Sequence, residues 1–258
     1  MNNCTVHPTA IIADSVRIAD GCQIGPYVVI EDDAVLGDHC VVGPHVCIGR
    51  RTVLGDRVEV YHGASLGLPP QARKGGSGLG GLRVGSDTIV REHVTLNAVA
   101  SENGWTTIGE RCLLMAYVHV GHGAQVGDDV ILVNGATLGG FVEIEHHATI
   151  SAMVPVHQYS LVGAYSYVGG GYRVVKDVPP YVMAAGDPLK PHGLNAVGLR
   201  RNGFTLEQMT DLRDMYRLFY RSGLNTSQAL DRFDELAPSP ERDHFAGFVR
   251  RSKRGIIR

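Results

Sequence analysis

The chain has 258 residues, 24 of them basic and 26 acidic, for a formal net charge of −2; hydrophobic residues make up 44% and charged residues 19%. Such a composition can bury a core and excludes a disordered chain. No run of about 18 apolar residues exists to span a bilayer, Met1 to Pro8 lacks the pattern of a secretory signal, and a near-neutral chain with one Trp lacks the basic and aromatic footprint of a nucleic-acid binder.

From Val6 onward an aliphatic residue recurs every six positions. Ile12, Ile18, Ile24, Ile30 and Leu36 continue a register that runs to Val174, and 26 of its 29 positions hold Ile, Leu or Val. A second slot, four residues after each aliphatic, holds small or β-branched residues such as Ala10, Val16, Cys22 and Val28. Gly often follows the aliphatic directly, as at Gly25, Gly43 and Gly109, where it is expected to relieve a turn. A period of six fits neither an amphipathic helix nor a simple strand; it marks a solenoid. It resembles the hexapeptide repeat of the left-handed parallel β-helix acyltransferases. That resemblance implies three six-residue strands per 18-residue triangular coil, with the aliphatic residues filling the prism. Its hand is opposite to the usual rule for parallel crossovers.

The register fails at 72, 78 and 102, which predicts loop excursions at 68–83 and 97–107. Solenoid loops either display function or are tolerated insertions. Cys4, Cys22, Cys40 and Cys112 occupy the small inward slot, and Cys47 alone is out of register. This predicts core fillers without disulfides or a zinc site, as suits a reducing cytoplasm. The period ends after Pro179-Pro180, dividing a β-helix (1–185) from a helical domain (186–258). The first part carries 11 basic and 17 acidic residues, the second 13 and 9, so the helical domain is a candidate dock for an acidic partner. Thr205 with Gln208 forms a capping box ahead of Leu206, Met209, Leu212, Met215, Tyr216 and Phe219, predicted core at helical spacing. Asn225 caps a second helix, and Ser239-Pro240 starts a third that is expected to end near Gly255.

Stacking at 18 residues places His122, Gly140 and Gln158 in one column, with His119 and His157 beside it. Histidine is the natural general base near neutral pH. The column reads equally as solvated polar residues, and His119-x-x-His122 supplies two of the ligands a metal needs, with no third forced by spacing.

Several segments together resemble one family: LMAYVHVGH (114–122), ATLGG (136–140), VHQY (156–159), DVPPYV (177–182), GLNAVGLRRNGF (193–204) and SKRGIIR (252–258). That family is the acyl-[acyl-carrier-protein]–UDP-N-acetylglucosamine O-acyltransferases, which begin lipid A synthesis, and the resemblance covers essentially the whole chain. It implies that His122 is the general base toward the sugar 3-hydroxyl and that the Gly140 N–H is the oxyanion donor. Lys74, His119, His157, Gln158, Asn195 and Arg201 would hold substrate, and Gly170 would leave room for a long acyl chain. Arg200, Arg250, Arg251, Lys253 and Arg254 are candidates to receive the acidic carrier protein. The resemblance further implies a cytoplasmic homotrimer with sites between subunits, and no metal or organic cofactor. The chain departs from the family pattern at Gly123, where an acid orienting the base is usual, and at Phe141, where a His is usual. Ala72, Asn97, Ala98 and Val197 replace further polar residues. These departures motivate two rivals, a transferase acting on another nucleotide or amino sugar and a non-catalytic β-helix. A third is a β-helix metalloenzyme of the γ-carbonic anhydrase kind.

Overall fold

Aliphatic residues six apart can share one interior only if the chain turns by a third of a circle at each repeat. In the computed structural model, which describes residues 3–71 and 80–258, it does so. Short strands alternate with four-residue turns and form three sheets of 11, 8 and 8 strands among the described residues, parallel but for the last strand of the first. Leu113–Leu114 belongs to the first face of the resulting prism, His119–Val120 to the second and Gln125–Val126 to the third. Each strand pairs with the one a full coil later, as Leu113 with Ile131 and His119 with Thr137.

The sixth-position aliphatics from Ile24 to Val174, where the register holds, are buried, each contributing about 1.5–3 kcal/mol. Cys22, Cys40 and Cys112 lie among them, and every thiol donates to the carbonyl 15 residues ahead (Gly37, Gly55 and Gly127, each 3.1 Å). Burial pushes the Cys40 thiol up to about 12 and Cys112 up to about 11.

The glycine following the aliphatic serves close approach rather than turn strain. A Cβ on Gly109 would stand 2.5 Å from the Gly127 carbonyl carbon of the next coil. The positive φ angles fall two residues later, at Tyr27, His45, Tyr117 and Phe141 among others.

Both excursions are shorter than the lost period implies. Strands reach Leu68 and resume at Gly81, then reach Asn97 and resume at Trp105. The cause is mutual: Gly81–Val84 pairs residue for residue with Trp105–Ile108, so the two flanks extend each other's ladder.

Beyond the last full coil, Val182–Ala185 and Lys190–Leu194 form an antiparallel hairpin attached to the first face. The sequence boundary at 185/186 therefore falls within a paired element. Four helices follow: α1 (Ala196–Arg201), α2 (Leu206–Arg221), α3 (Thr226–Asp231) and α4 (Pro240–Arg251). The α2 capping box forms as the sequence predicts, and Asn225 caps α3, with Gln228 completing a second box. Leu206 is not core but 82% exposed, as the first helical residue ahead of the packed stretch. The six-residue α1 was not foreseen, being too short for a periodic signal.

Helix α4 stops at Arg251, not near Gly255, because the tail has another task. Buried Asp177 pairs with Ile256 in a parallel bridge, and its carboxylate accepts from Leu161 N (2.8 Å) and Ser252 Oγ (2.6 Å). Ile257 thereby joins the β-helix core. A second anchor joins His244 of α4 to Glu145 (3.0 Å) and to Tyr181 Oη (2.9 Å), while Arg251 meets Glu143 at 2.7 Å and Glu145 at 2.6 Å. Burial alone would raise the Glu145 carboxyl. His244, the Ala164 N–H and Arg251 together outweigh it and hold that carboxyl below the usual range.

Candidate active site

Backbone hydrogen bonds confirm the stacked column at the corner between the second and third faces. Phe141 N donates to His122 O (3.0 Å), and Tyr159 N donates to Gly140 O (3.1 Å). The His122 imidazole lies against Gly140 so closely that a Cβ there would stand 2.9 Å from Nε2 and 3.1 Å from Cε1. Among the described residues the Gly140 N–H donates to no backbone or side-chain acceptor. A potential base and a free N–H donor thus share one spot. That pairing can deprotonate a hydroxyl and stabilise an oxyanion.

The neighbouring imidazoles are fixed by local partners. His119, on the second face, has Nδ1 2.7 Å from Thr95 Oγ1, and burial holds its pKa below the ordinary value, so it is neutral near pH 7. His157 Nδ1 lies 3.1 Å from the Gln158 carbonyl. A carbonyl only accepts, so Nδ1 is the donor in this contact. The Gln158 side chain is exposed in the same corner.

Around His122 the departures from the family pattern have structural explanations. Gly123 has φ +71°, and a Cβ there would stand 2.5 Å from the Phe141 ring. The Phe141 ring thus occupies the space over Gly123, so a side chain at 123 requires that ring to shift. Phe141 packs against His122 edge to face (centroids 5.0 Å, 88°) and stacks on Tyr159 (5.2 Å, 4°). Asn97 is buried and donates to Leu68 O and Pro69 O, tying the two excursions together. Thr106, which sequence reasoning missed inside its predicted loop, donates to Asn97 O (2.7 Å) and accepts from Gly123 N (2.8 Å). Only the pairing of the loop flanks brings Thr106 beneath the histidine turn.

The other expected site residues are not brought to this corner. Gly170 is exposed in the turn between the first and second faces. Asn195 caps α1 by accepting from Gly198 N (3.1 Å) and donates to Tyr165 O (2.9 Å), so both ends of its amide are engaged. Arg201 lies with Val197 along an open, mainly apolar groove of about 540 Å³ over the first face, lined also by Ile131, Tyr167 and Met183. The first face is the one opposite the His122 corner. Lys74 and Ala72 lie outside the described residues.

Among the basic candidates, Arg251 is paired with Glu143 and Glu145 rather than free, Arg254 donates to Val175 O, and Arg200 donates to Ala196 O in its own helix. Arg250 and Lys253 are exposed. Arg251 and Lys253 flank a groove of about 290 Å³ that also touches Phe141 and Tyr159, beside the histidine corner.

Residues 177–257 match the family model described as UDP N-acetylglucosamine O-acyltransferase, domain 2. Residues 1–32, 15–50 and 106–140 match that for bacterial transferase hexapeptide (six repeats). The acyl-[acyl-carrier-protein]–UDP-N-acetylglucosamine O-acyltransferase of Thiobacillus denitrificans is 44% identical over 256 residues, 98% of this chain and 99% of the relative. The chain belongs to this O-acyltransferase family. Its namesake from Synechocystis is 37% identical over 193 residues, 75% of this chain and 70% of the relative. The solved UDP-N-acetylglucosamine acyltransferase of Bacteroides fragilis superposes with a TM-score of 0.96 at 36% identity, covering 98% of this chain and all of that one. That of Francisella novicida gives 0.95 at 34% identity, covering 98% and 94%. The fold is thus the left-handed parallel β-helix with a C-terminal helical region that the O-acyltransferase family shares. No helix among the described residues is long and apolar enough to cross a membrane.

Proposed function

We propose that this protein transfers a 3-hydroxyacyl chain from acyl carrier protein to the 3-hydroxyl of UDP-N-acetylglucosamine, the reaction that opens lipid A biosynthesis. Membership of the family supports the reaction class, and one observation carries the chemistry: His122 Nε2 set against Gly140, whose N–H is free.

His122 Nε2 takes the proton of the sugar hydroxyl as its oxygen attacks the thioester carbonyl. The new C–O bond makes a tetrahedral intermediate, and its oxyanion accepts the Gly140 N–H. Collapse breaks the C–S bond, and the proton on His122 passes to the departing carrier thiolate. Substrate, carrier thiol and base return to balance with no cofactor. His119, His157 and Gln158 line the approach to the reacting atoms, while Arg201 suits the diphosphate. Gly170 leaves its turn open to the far end of the acyl chain. Arg200, Arg250 and Lys253 offer positive charge to the acidic carrier.

One copy does not unite His122 with Arg201, because they belong to a corner and to the face opposite it. A homotrimer with each site between adjacent subunits resolves this. The corner between the first and second faces supports it, exposing Tyr27, Tyr117 and Met153 in one line. Cys22, Cys40, Cys47 and Cys112, which form no disulfide, suit a cytoplasmic setting.

Incubation with 3-hydroxyacyl carrier protein and UDP-N-acetylglucosamine, followed by mass spectrometry, tests the reaction. The expected product is the nucleotide sugar carrying one acyl ester, with one free carrier thiol per ester. Acylation of an amino-sugar acceptor alone, or binding of both substrates without turnover, would overturn the proposal.

A further inference from the structure

Nδ1 of His122 is buried and makes no hydrogen bond with any described residue. A base that works through Nε2 must carry its resting proton on Nδ1 and holds protons on both nitrogens once it has acted. Catalytic histidines are ordinarily held by a partner on that second nitrogen; here no partner fixes the ring plane. What touches the ring is Gly140 on one side and Phe141 at 88° on another. Phe141 is itself doubly fixed, by its N–H to the His122 carbonyl and by its stack on Tyr159.

The same device recurs without the catalytic neighbour. The positive-φ glycines Gly21, Gly63 and Gly135 are each covered by the bulky side chain of the next coil, His39, His93 and Met153. The β-helix turn has a standing place for a large side chain, over a glycine here and over another ring at Tyr27 and His45 or at His93 and Tyr117. At Gly123 that place borders the base.

We infer that Phe141 is the positioning residue for His122, holding the imidazole by ring packing where no hydrogen-bond acceptor on Nδ1 does so. This rests on His122 being the general base. The arrangement trades a charge-assisted orienting bond for an apolar wall. A carboxylate at 123 and a ring at 141 are thus two alternative ways of holding the same imidazole. Asp tolerates the left-handed backbone found there, so the alternative can be built.

The test compares kcat and KM for Phe141→Ala, Phe141→Tyr, Gly123→Asp and the double variant Gly123→Asp/Phe141→Ala, all as folded trimers. Phe141 is 38% exposed, so its truncation does not open the core. Phe141→Ala is expected to lower kcat by about ten- to a hundredfold with KM for both substrates nearly unchanged. Phe141→Tyr retains the ring and should keep near-native kcat. In the Phe141→Ala background Gly123→Asp should recover most of the lost kcat, because a carboxylate then orients the imidazole, a rescue that a merely structural role does not produce. Unchanged kcat in Phe141→Ala, a loss confined to KM, or a double variant no better than Phe141→Ala would overturn the inference. His122→Ala, run in parallel, separates the two layers: full turnover without the imidazole would refute the base itself.

Discussion

Replacing His122 by alanine is expected to lower kcat by about 10²–10⁴-fold, the range a positioned general base supplies, with little change in KM. A sugar hydroxyl is a poor nucleophile while it keeps its proton, and among the groups at this corner the His122 Nε2 is the one placed against a free N–H donor. The fold should be unaffected, since His122 sits in a half-buried turn outside the aliphatic column. His119 and His157 do not substitute for it, because the imidazole set against Gly140 is that of His122. Steady-state rates with the variant's melting temperature check this. A loss below tenfold in a folded variant would move the base elsewhere.

Gly140→Ala should be nearly as damaging, although it removes no polar atom. The new Cβ would stand 2.9 Å from Nε2, 3.1 Å from Cε1 and 3.3 Å from the His122 carbonyl oxygen. Contacts under about 3.0 Å do not persist, so the imidazole has to turn, and Phe141 blocks it on another side. A displacement of that order costs about 10²-fold when reacting atoms must align. The Gly140 N–H is still present in the variant, so the loss reports the base rather than the oxyanion donor. The decisive comparison is with His122→Ala/Gly140→Ala. If the methyl acts by displacing the imidazole, the double variant is scarcely slower than His122→Ala alone. Additive losses would mean that Gly140 acts independently of the ring.

The coil architecture was legible because one interaction repeats without exception of kind. An aliphatic residue every sixth position has no other way to be buried, so the period of Val6 to Val174 reads directly as a prism, and multiples of 18 read as columns. His122, Gly140 and Gln158 could be stacked on that arithmetic alone. What the period could not convey is anything perpendicular to it. Thr106 supports Gly123 only because two excursions, far apart along the chain, pair along their flanks. Asp177 gathers the tail, which makes Gly255 a turn into a bridge rather than a helix end. Phe141 looked like a lost polar residue until its ring was found to occupy the space over Gly123. The 18-residue spacing between the two was a usable signal, since Gly21 with His39 and Gly135 with Met153 repeat it. The basic candidates divide for a similar reason: charge identifies Arg251 but not the two carboxylates that already hold it.

The active site we propose is built from the His122 corner of one copy and the Arg201 surface of the next. Mixed trimers test it most directly. Subunits carrying His122→Ala and subunits carrying Arg201→Glu, each inactive or nearly so as uniform trimers, are co-assembled with distinct tags and the mixed species isolated. Recovery of a substantial fraction of wild-type turnover in the mixed trimers is the predicted result, because some sites then combine an intact histidine with an intact arginine. Mixed trimers as inactive as their parents would contradict this arrangement, placing both residues in the site of a single chain.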